Sequence, residues 1–139
     1  MTLPLNRTRN EVDHNGIIVH ITDYKLDNSF GIITAFTKNR SVAELSEHPI
    51  PIKGLAEPIY YFNRIKVLPV FEGKGEGKAL MIELCKVADK HKITIYNELN
   101  PYGKRNMDSL KSFFKASGFE KFKNEWNDPN VMVRIPKGV

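Results

Sequence analysis

The chain has 139 residues, of which 41% are apolar and 27% charged, enough for one globular domain that buries its core without staples. A single cysteine, Cys85, excludes an internal disulfide framework and a cysteine-based zinc cluster. The formal charge of +5 is uneven: residues 1–60 hold 6 Lys/Arg against 7 Asp/Glu, whereas residues 61–139 hold 15 against 9. The basic half therefore suits a polyanionic ligand. No apolar run reaches the length of about 18 residues that a membrane span needs. The N-terminus has no signal-type hydrophobic region, so a cytoplasmic protein is expected.

Residues 1–15 are polar with few apolar anchors and read as an extended or flexible arm. Gly16–Thr22 is rich in β-branched residues and predicts a strand; turn residues Asp23–Asn28 and a second strand over Ser29–Thr37 complete an antiparallel hairpin. His20 has no partner at a ligand spacing and reads as structural. Ser41–Glu47 predicts a short helix, with Ser41 as N-cap and Glu44 closing a capping box. Pro49, Pro51 and Pro58 then break regular structure, and the loop they define is either a place for substrate contacts or a plain connector.

Tyr60–Val67 predicts a strand with Tyr61, Asn63, Ile65 and Val67 on one face, and Tyr60, Phe62, Arg64 and Lys66 on the other. A helix from about Gly75 to His91 comes next, its stripe of Leu80, Met81, Leu84, Cys85, Val87 and Ala88 facing the sheet. Cys85 on that stripe is a buried, inert thiol. Ile93–Asn97 is the next strand, which makes strand, helix and strand a parallel βαβ unit. Asn106 or Asp108 caps a second helix carrying Leu110, Phe113 and Phe114 and ending at Gly118. Two short strands close the chain, near Phe119–Phe122 and Val131–Ile135, with Trp126 and Pro129 between them.

The informative stretch is Val67 to Leu80, where Gly73, Gly75 and Gly77 alternate between a strand and a helix. Glycine alternation lets backbone N–H groups turn toward one point, and the helix start adds free donors and the positive end of its dipole. Such a turn suits a phosphate-bearing ligand. A Walker loop would need glycine at Glu72 and Ser or Thr at Ala79. The dinucleotide fingerprint would need glycine at Lys78 or Leu80. Both fail.

The stretch resembles the coenzyme A loop of the GNAT N-acetyltransferase superfamily, Val-x-Pro followed by (Gln/Arg)-x-x-Gly-x-(Gly/Ala). Val67 and Pro69 match the first part, and Gly75 and Gly77 the second; Glu72 stands where the family has Gln or Arg. Phe113-Phe114-Lys-Ala-Ser-Gly118-Phe119 is similar to the family's Phe-Tyr-x-x-x-Gly-Phe. The resemblance covers about residues 60–125 well and the first 60 loosely, which implies that the first strand or two early helices are reduced or rearranged. It implies one α+β domain over residues 1–139: a mixed, mostly antiparallel central sheet with a parallel βαβ core and flanking helices.

It implies further that acetyl-CoA is bound and its acetyl group passed to a primary amine by direct attack in a ternary complex. The backbone of Ile65, Lys66 and Val67 would pair with the pantetheine arm. The amides of Glu72, Gly73, Lys74, Gly75, Glu76, Gly77 and Lys78 would meet the pyrophosphate, and Asn106 and Phe114 would line the far side. Phe114 replaces the tyrosine that protonates the leaving thiolate in many members, and Tyr61 and Asn63 stand where many have a basic glutamate. Glu98 and Tyr102 are the remaining catalytic candidates. No metal is expected, and the acceptor is a small-molecule or peptide amine. A GNAT-fold binding module without catalysis is the alternative; association as a homodimer stays open, and scattered lysines without a motif make nucleic acid a minor partner class.

Overall fold

A computed structural model describes residues 7–14, 17–23, 31–48, 50–100, 106–124 and 128–138. Its strands are β1 (Arg7–His14), β2 (Ile17–Asp23), β3 (Ile32–Thr37), β4 (Val42–Glu47) and β5 (Ile59–Lys66), then β6 (Thr94–Glu98), β7 (Glu120–Lys121) and β8 (Val131–Arg134). Two helices, α1 (Glu76–Lys90) and α2 (Met107–Ala116), come after β5 and β6 respectively. The strands form one sheet in the order β1-β2-β3-β4-β5-β6-β8-β7. Only β5 and β6 pair in parallel; every other neighbour is antiparallel. Sequence order and sheet order coincide through β6, because antiparallel neighbours need only short turns while the parallel step needs the α1 crossover.

The expected mixed sheet with a βαβ core is what the chain forms, and two local expectations are corrected. The segment read as an arm contains β1, which pairs with β2 over Arg7–His14. Backbone pairing along an existing strand orders a polar segment that has few apolar anchors of its own. The segment read as a capped helix, Ser41–Glu47, is a single residue ahead of β4 and then β4 itself. Ala43 and Leu45 alternate into the core while β3 and β5 take up the backbone groups on the two edges. Sheet pairing on both sides outweighs the local cap signal. Trp126 and most of the expected Asp23–Asn28 turn lie outside the described residues. Among the described residues no α-helix precedes α1.

One face of the sheet carries the main core. Val19, Ile33, Ala35, Ala43 and Leu45 meet Leu80, Met81, Leu84, Val87 and Ala88 of α1 and Leu110 and Phe114 of α2. Cys85 is buried on the same helix stripe, and burial raises its thiol pKa. The opposite face has a smaller apolar cluster of Ile59, Tyr96, Val131 and Val133, against which Ile52, Leu55, Tyr61 and Phe122 pack. Arg134, only 3% exposed, joins the elements at one end. It donates to both carboxylate oxygens of Asp89 on α1, at 2.7 and 3.0 Å, and to the Ser117 carbonyl beyond α2 at 2.9 Å.

Candidate active site

The site is built where the sheet comes apart. Strands β5 and β6 pair at Ile59–Thr94, Tyr60–Ile95 and Tyr61–Tyr96, and pairing stops there although β5 runs on to Lys66 and β6 to Glu98. From Phe62 onward β5 keeps β4 on one edge and turns the other toward a notch. A notch between parallel strands leaves backbone donors and acceptors available to an extended ligand.

A β-bulge shapes this stretch. Glu44 pairs with Arg64 and the next residue, Leu45, with Phe62, so Asn63 is the extra residue on β5. A bulge inverts the facing of the residues beyond it. Tyr60, Phe62 and Ile65 accordingly all pack on the helix-side core, while Tyr61 belongs to the opposite cluster. This corrects the strict alternation expected for Tyr60–Val67, which put Ile65 with Tyr61. The extra residue is turned back toward β4: Ser46 Oγ donates to Asn63 Oδ1 at 2.9 Å, and Asn63 Nδ2 donates to Glu44 Oε1 at 3.2 Å.

Past the notch the chain makes a 3-10 turn at Pro69–Phe71 and reaches two glycines in the left-handed region, Gly73 at φ 75° and Gly75 at φ 80°. A Cβ at either would meet nothing within 4 Å, so each is required for its backbone angle and faces open space. Gly75 is the N-cap of α1, and no side chain caps that end. The first-turn N–H groups therefore keep their donor capacity. Gly77 differs: a Cβ there would sit 3.6 Å from Ile65 and 3.9 Å from Phe113, so it marks where β5, α1 and α2 converge. Lys66, Lys74 and Lys78 are exposed around the turn, and Lys38 and Lys74 line a shallow cleft of ≈ 360 Å³ beside Gly75.

Glu76 lines this cleft with its carboxylate engaged by the β3–β4 turn. Its carboxylate accepts from Ser41 Oγ, from Asn39 Nδ2 at 2.7 Å and from Thr37 Oγ1 at 3.3 Å. The Ser41 hydroxyl, then the Asn39 amide, lower its pKa. These three side chains, grouped at the β3–β4 turn, give no signal in the sequence because their shared target lies on another element. Glu72, the residue discordant with the family pattern, is exposed to solvent.

The other expected site residues divide. Ile65 and Val67 are half-buried along the notch, next to Gly77. Phe114 is 3% exposed and sits in the core against Phe62, Phe113 and Phe119 at ring distances of 5.1–5.2 Å. Asn106 caps α2, accepting from the Ser109 N–H at 2.8 Å. Glu98 is exposed at the end of β6, on the face of Tyr96 and Tyr61. Burial first, then Glu98, then Tyr96, raise the Tyr61 pKa. Tyr102 lies outside the described residues.

Sequence patterns did not single out Asn97. It is 4% exposed on β6, immediately past the last β5–β6 pair, and its Nδ2 has no hydrogen-bond partner. A buried donor without an acceptor is costly, and here it borders the notch. A strand edge, an orphaned donor and two left-handed glycines ahead of an uncapped helix form a continuous path. These residues fit a ligand with an amide-bearing arm ending in a pyrophosphate.

A sheet parted between two parallel strands ahead of a glycine turn and helix, with this strand order, is the fold of the GNAT N-acetyltransferases. Two solved structures carry the comparison. A candidate acetyltransferase of the GNAT family from Desulfovibrio desulfuricans matches at TM-score 0.52 and 18% identity, covering 77% of this chain and 69% of its own. The ribosomal-protein-S18-alanine N-acetyltransferase of Escherichia coli matches at TM-score 0.53 and 13% identity, covering 81% of this chain and 73% of its own. No protein-family model matches the chain, and no curated protein sequence does. The likeness is one of fold.

Proposed function

We propose that the protein is an N-acyltransferase that passes the acetyl group of acetyl-CoA to a primary amine. The observation that carries this reading is the parting of β5 and β6 directly ahead of the Gly73–Gly75 turn. In this reading the free edge of β5 over Phe62–Lys66 binds the pantetheine arm as an added strand. Asn97 Nδ2 donates to the same arm, and the amides of residues 73–78 with the α1 dipole take the pyrophosphate. Phe62 and Phe113, backed by Phe114, exclude water from the helix side of the notch. The bound group supplies a thioester: one C–N bond forms as one C–S bond breaks, and the proton lost by the amine goes to solvent or to the thiol. Much of the rate in such a transfer comes from positioning and from backbone donors.

The test is thermal unfolding with saturating acetyl-CoA against the same concentration of ATP. Acetyl-CoA is expected to raise the midpoint and ATP to leave it nearly unchanged. No shift with acetyl-CoA would sink the reading. Phe114 is buried and has no proton to give; a binding module of this fold without turnover is the alternative reading. Steady release of thiol from acetyl-CoA with any of a panel of amines separates the two.

A further inference from the structure

Between α2 and the β7 edge of the sheet lies a second cleft, apart from the notch. It has a volume of ≈ 710 Å³ and is lined by Lys111, Ser112 and Lys115 of α2 and by Lys121 of β7. Buried Phe119 and Met132 form its base. The helical period puts these α2 residues on nearly the opposite side from Phe113, which faces Gly77 and the notch. The cleft is therefore separate from the acyl-transfer site, and its ligand does not depend on that reading.

Three lysines from two elements border the cleft, and among the described residues none of them forms an ion pair. Asp108 and Glu120 border it as well, so positive side chains outnumber negative ones by three to two. The strand register sorts the β7 pair. Lys121 opposes Met132 of the helix-side core, whereas Glu120 opposes Val133 of the other cluster. Directly opposed residues share a face, so β7 presents its lysine on the side of α2 and its glutamate on the other.

The edge beside the cleft is open. β7 is the last strand of the sheet. The Phe122 N–H donates to the Val131 carbonyl at 3.0 Å, which makes Phe122–Val131 a hydrogen-bonded pair. Pair types alternate along an antiparallel ladder, so Lys121–Met132 is a non-bonded pair, and the N–H and carbonyl of Lys121 point away from β8. Among the described residues nothing takes up these two groups.

We infer that the cleft is a docking groove for an extended acidic segment of a partner protein, which adds as a strand outside β7. The segment's backbone pairs with Lys121, and its carboxylates meet Lys111, Lys115 and Lys121. Side chains two residues apart on a strand share a face at a spacing of about 6.8 Å. Lys111 and Lys115, one helical turn apart, are separated by about 6 Å along α2. The segment that fits carries Asp or Glu at alternate positions. An edge lysine ordinarily keeps other strands away. Edge-to-edge pairing of two copies sets Lys121 against Lys121, whereas an acidic strand meets the same charge with attraction.

The test uses the full chain and a labelled peptide of alternating Glu and Thr, followed by fluorescence anisotropy. A second peptide of the same composition carries its glutamates in one block. The alternating peptide is expected to bind at low salt, and to bind about 10-fold or more tightly than the block peptide. The double variant Lys111→Gln, Lys115→Gln should lose a similar factor while keeping its thermal midpoint. Lys53→Gln, an exposed position on the loop ahead of β5, should change nothing. Hydrogen exchange of the Lys121 amide should slow in the complex, which attraction between charges alone does not produce. Absence of binding at low salt overturns the inference. So does equal binding of the two peptides, or a Lys121 amide that exchanges as fast with the peptide as without it. Self-association of the protein alone, lost in Lys121→Pro, gives the edge to a second copy and overturns it too.

Discussion

Ser41, fully buried at the start of β4, donates its hydroxyl to the carboxylate of Glu76 in the first turn of α1, 35 residues away in the chain. Asn39 and Thr37 complete the hold. The β3–β4 turn thereby fixes the orientation of the helix end that lies just past Gly73 and Gly75. Ser41→Ala should cost about 1.5–3 kcal/mol, as expected for a hydrogen bond to a charged group. Urea unfolding measures the stability. The acetyl-CoA dissociation constant should rise in the same variant, since the amides of the turn lose their fixed direction; calorimetry reads that change.

Acid should weaken the fold through two carboxylates. The folded-state pKa of Glu76 is lowered chiefly by Ser41, and that of Asp89 chiefly by the hydrogen bonds from Arg134. A depressed folded pKa means stability that is fully present above the unfolded value, about 4 for a carboxylate, and lost as pH falls through the folded value. Urea midpoints should thus be flat from pH 7 to about 5 and drop below about 4. Asp89→Asn should flatten that drop in part. It should also lower stability at pH 7 by roughly 3–5 kcal/mol, because the buried Arg134 guanidinium loses its countercharge.

Gly75 should be intolerant of a side chain for a backbone reason alone. Its φ of 80° is left-handed, and nothing crowds the place a Cβ would take. Gly75→Ala should cost roughly 1–2 kcal/mol of stability. Gly77→Ala, at an ordinary helical angle with contacts of 3.6 Å or more, should cost less stability. If the notch holds a ligand arm, Gly77→Ala should still weaken acetyl-CoA binding, and a paired set of urea and calorimetric measurements separates the two effects.

Asn97→Leu should divide stability from binding. The parent buries an amide nitrogen with no partner. An apolar residue of similar volume removes that penalty, so the free protein should be as stable as the parent or more so, by up to about 1–3 kcal/mol. Acetyl-CoA binding should weaken by about 10-fold, equivalent to about 1.4 kcal/mol. A variant that loses stability and keeps its affinity would assign Asn97 to the core instead.

Features that depend on neighbours in the chain were legible in the sequence. The βαβ unit was legible because Tyr60–Val67, the Leu80–Ala88 stripe and Ile93–Asn97 each carry a clear period. The glycine turn was legible because φ above zero demands glycine whatever surrounds it, and the Asn106 cap because its acceptor bonds a backbone N–H three residues on. Ser41–Glu47 misled for the same reason. Serine with glutamate three residues later is a helix signal only where the backbone is not claimed elsewhere, and here β3 and β5 claim it. Pairing across strands is non-local, so only the tertiary structure decided that Ser41 serves Glu76, that Asn63 bulges toward Glu44, and that the Asn97 side-chain nitrogen is left without a partner where β5 and β6 part. The chain determined its sheet, its crossover and its glycine turn. The packed fold determined which polar groups meet at the notch, because each meeting joins residues that no short stretch of sequence holds together.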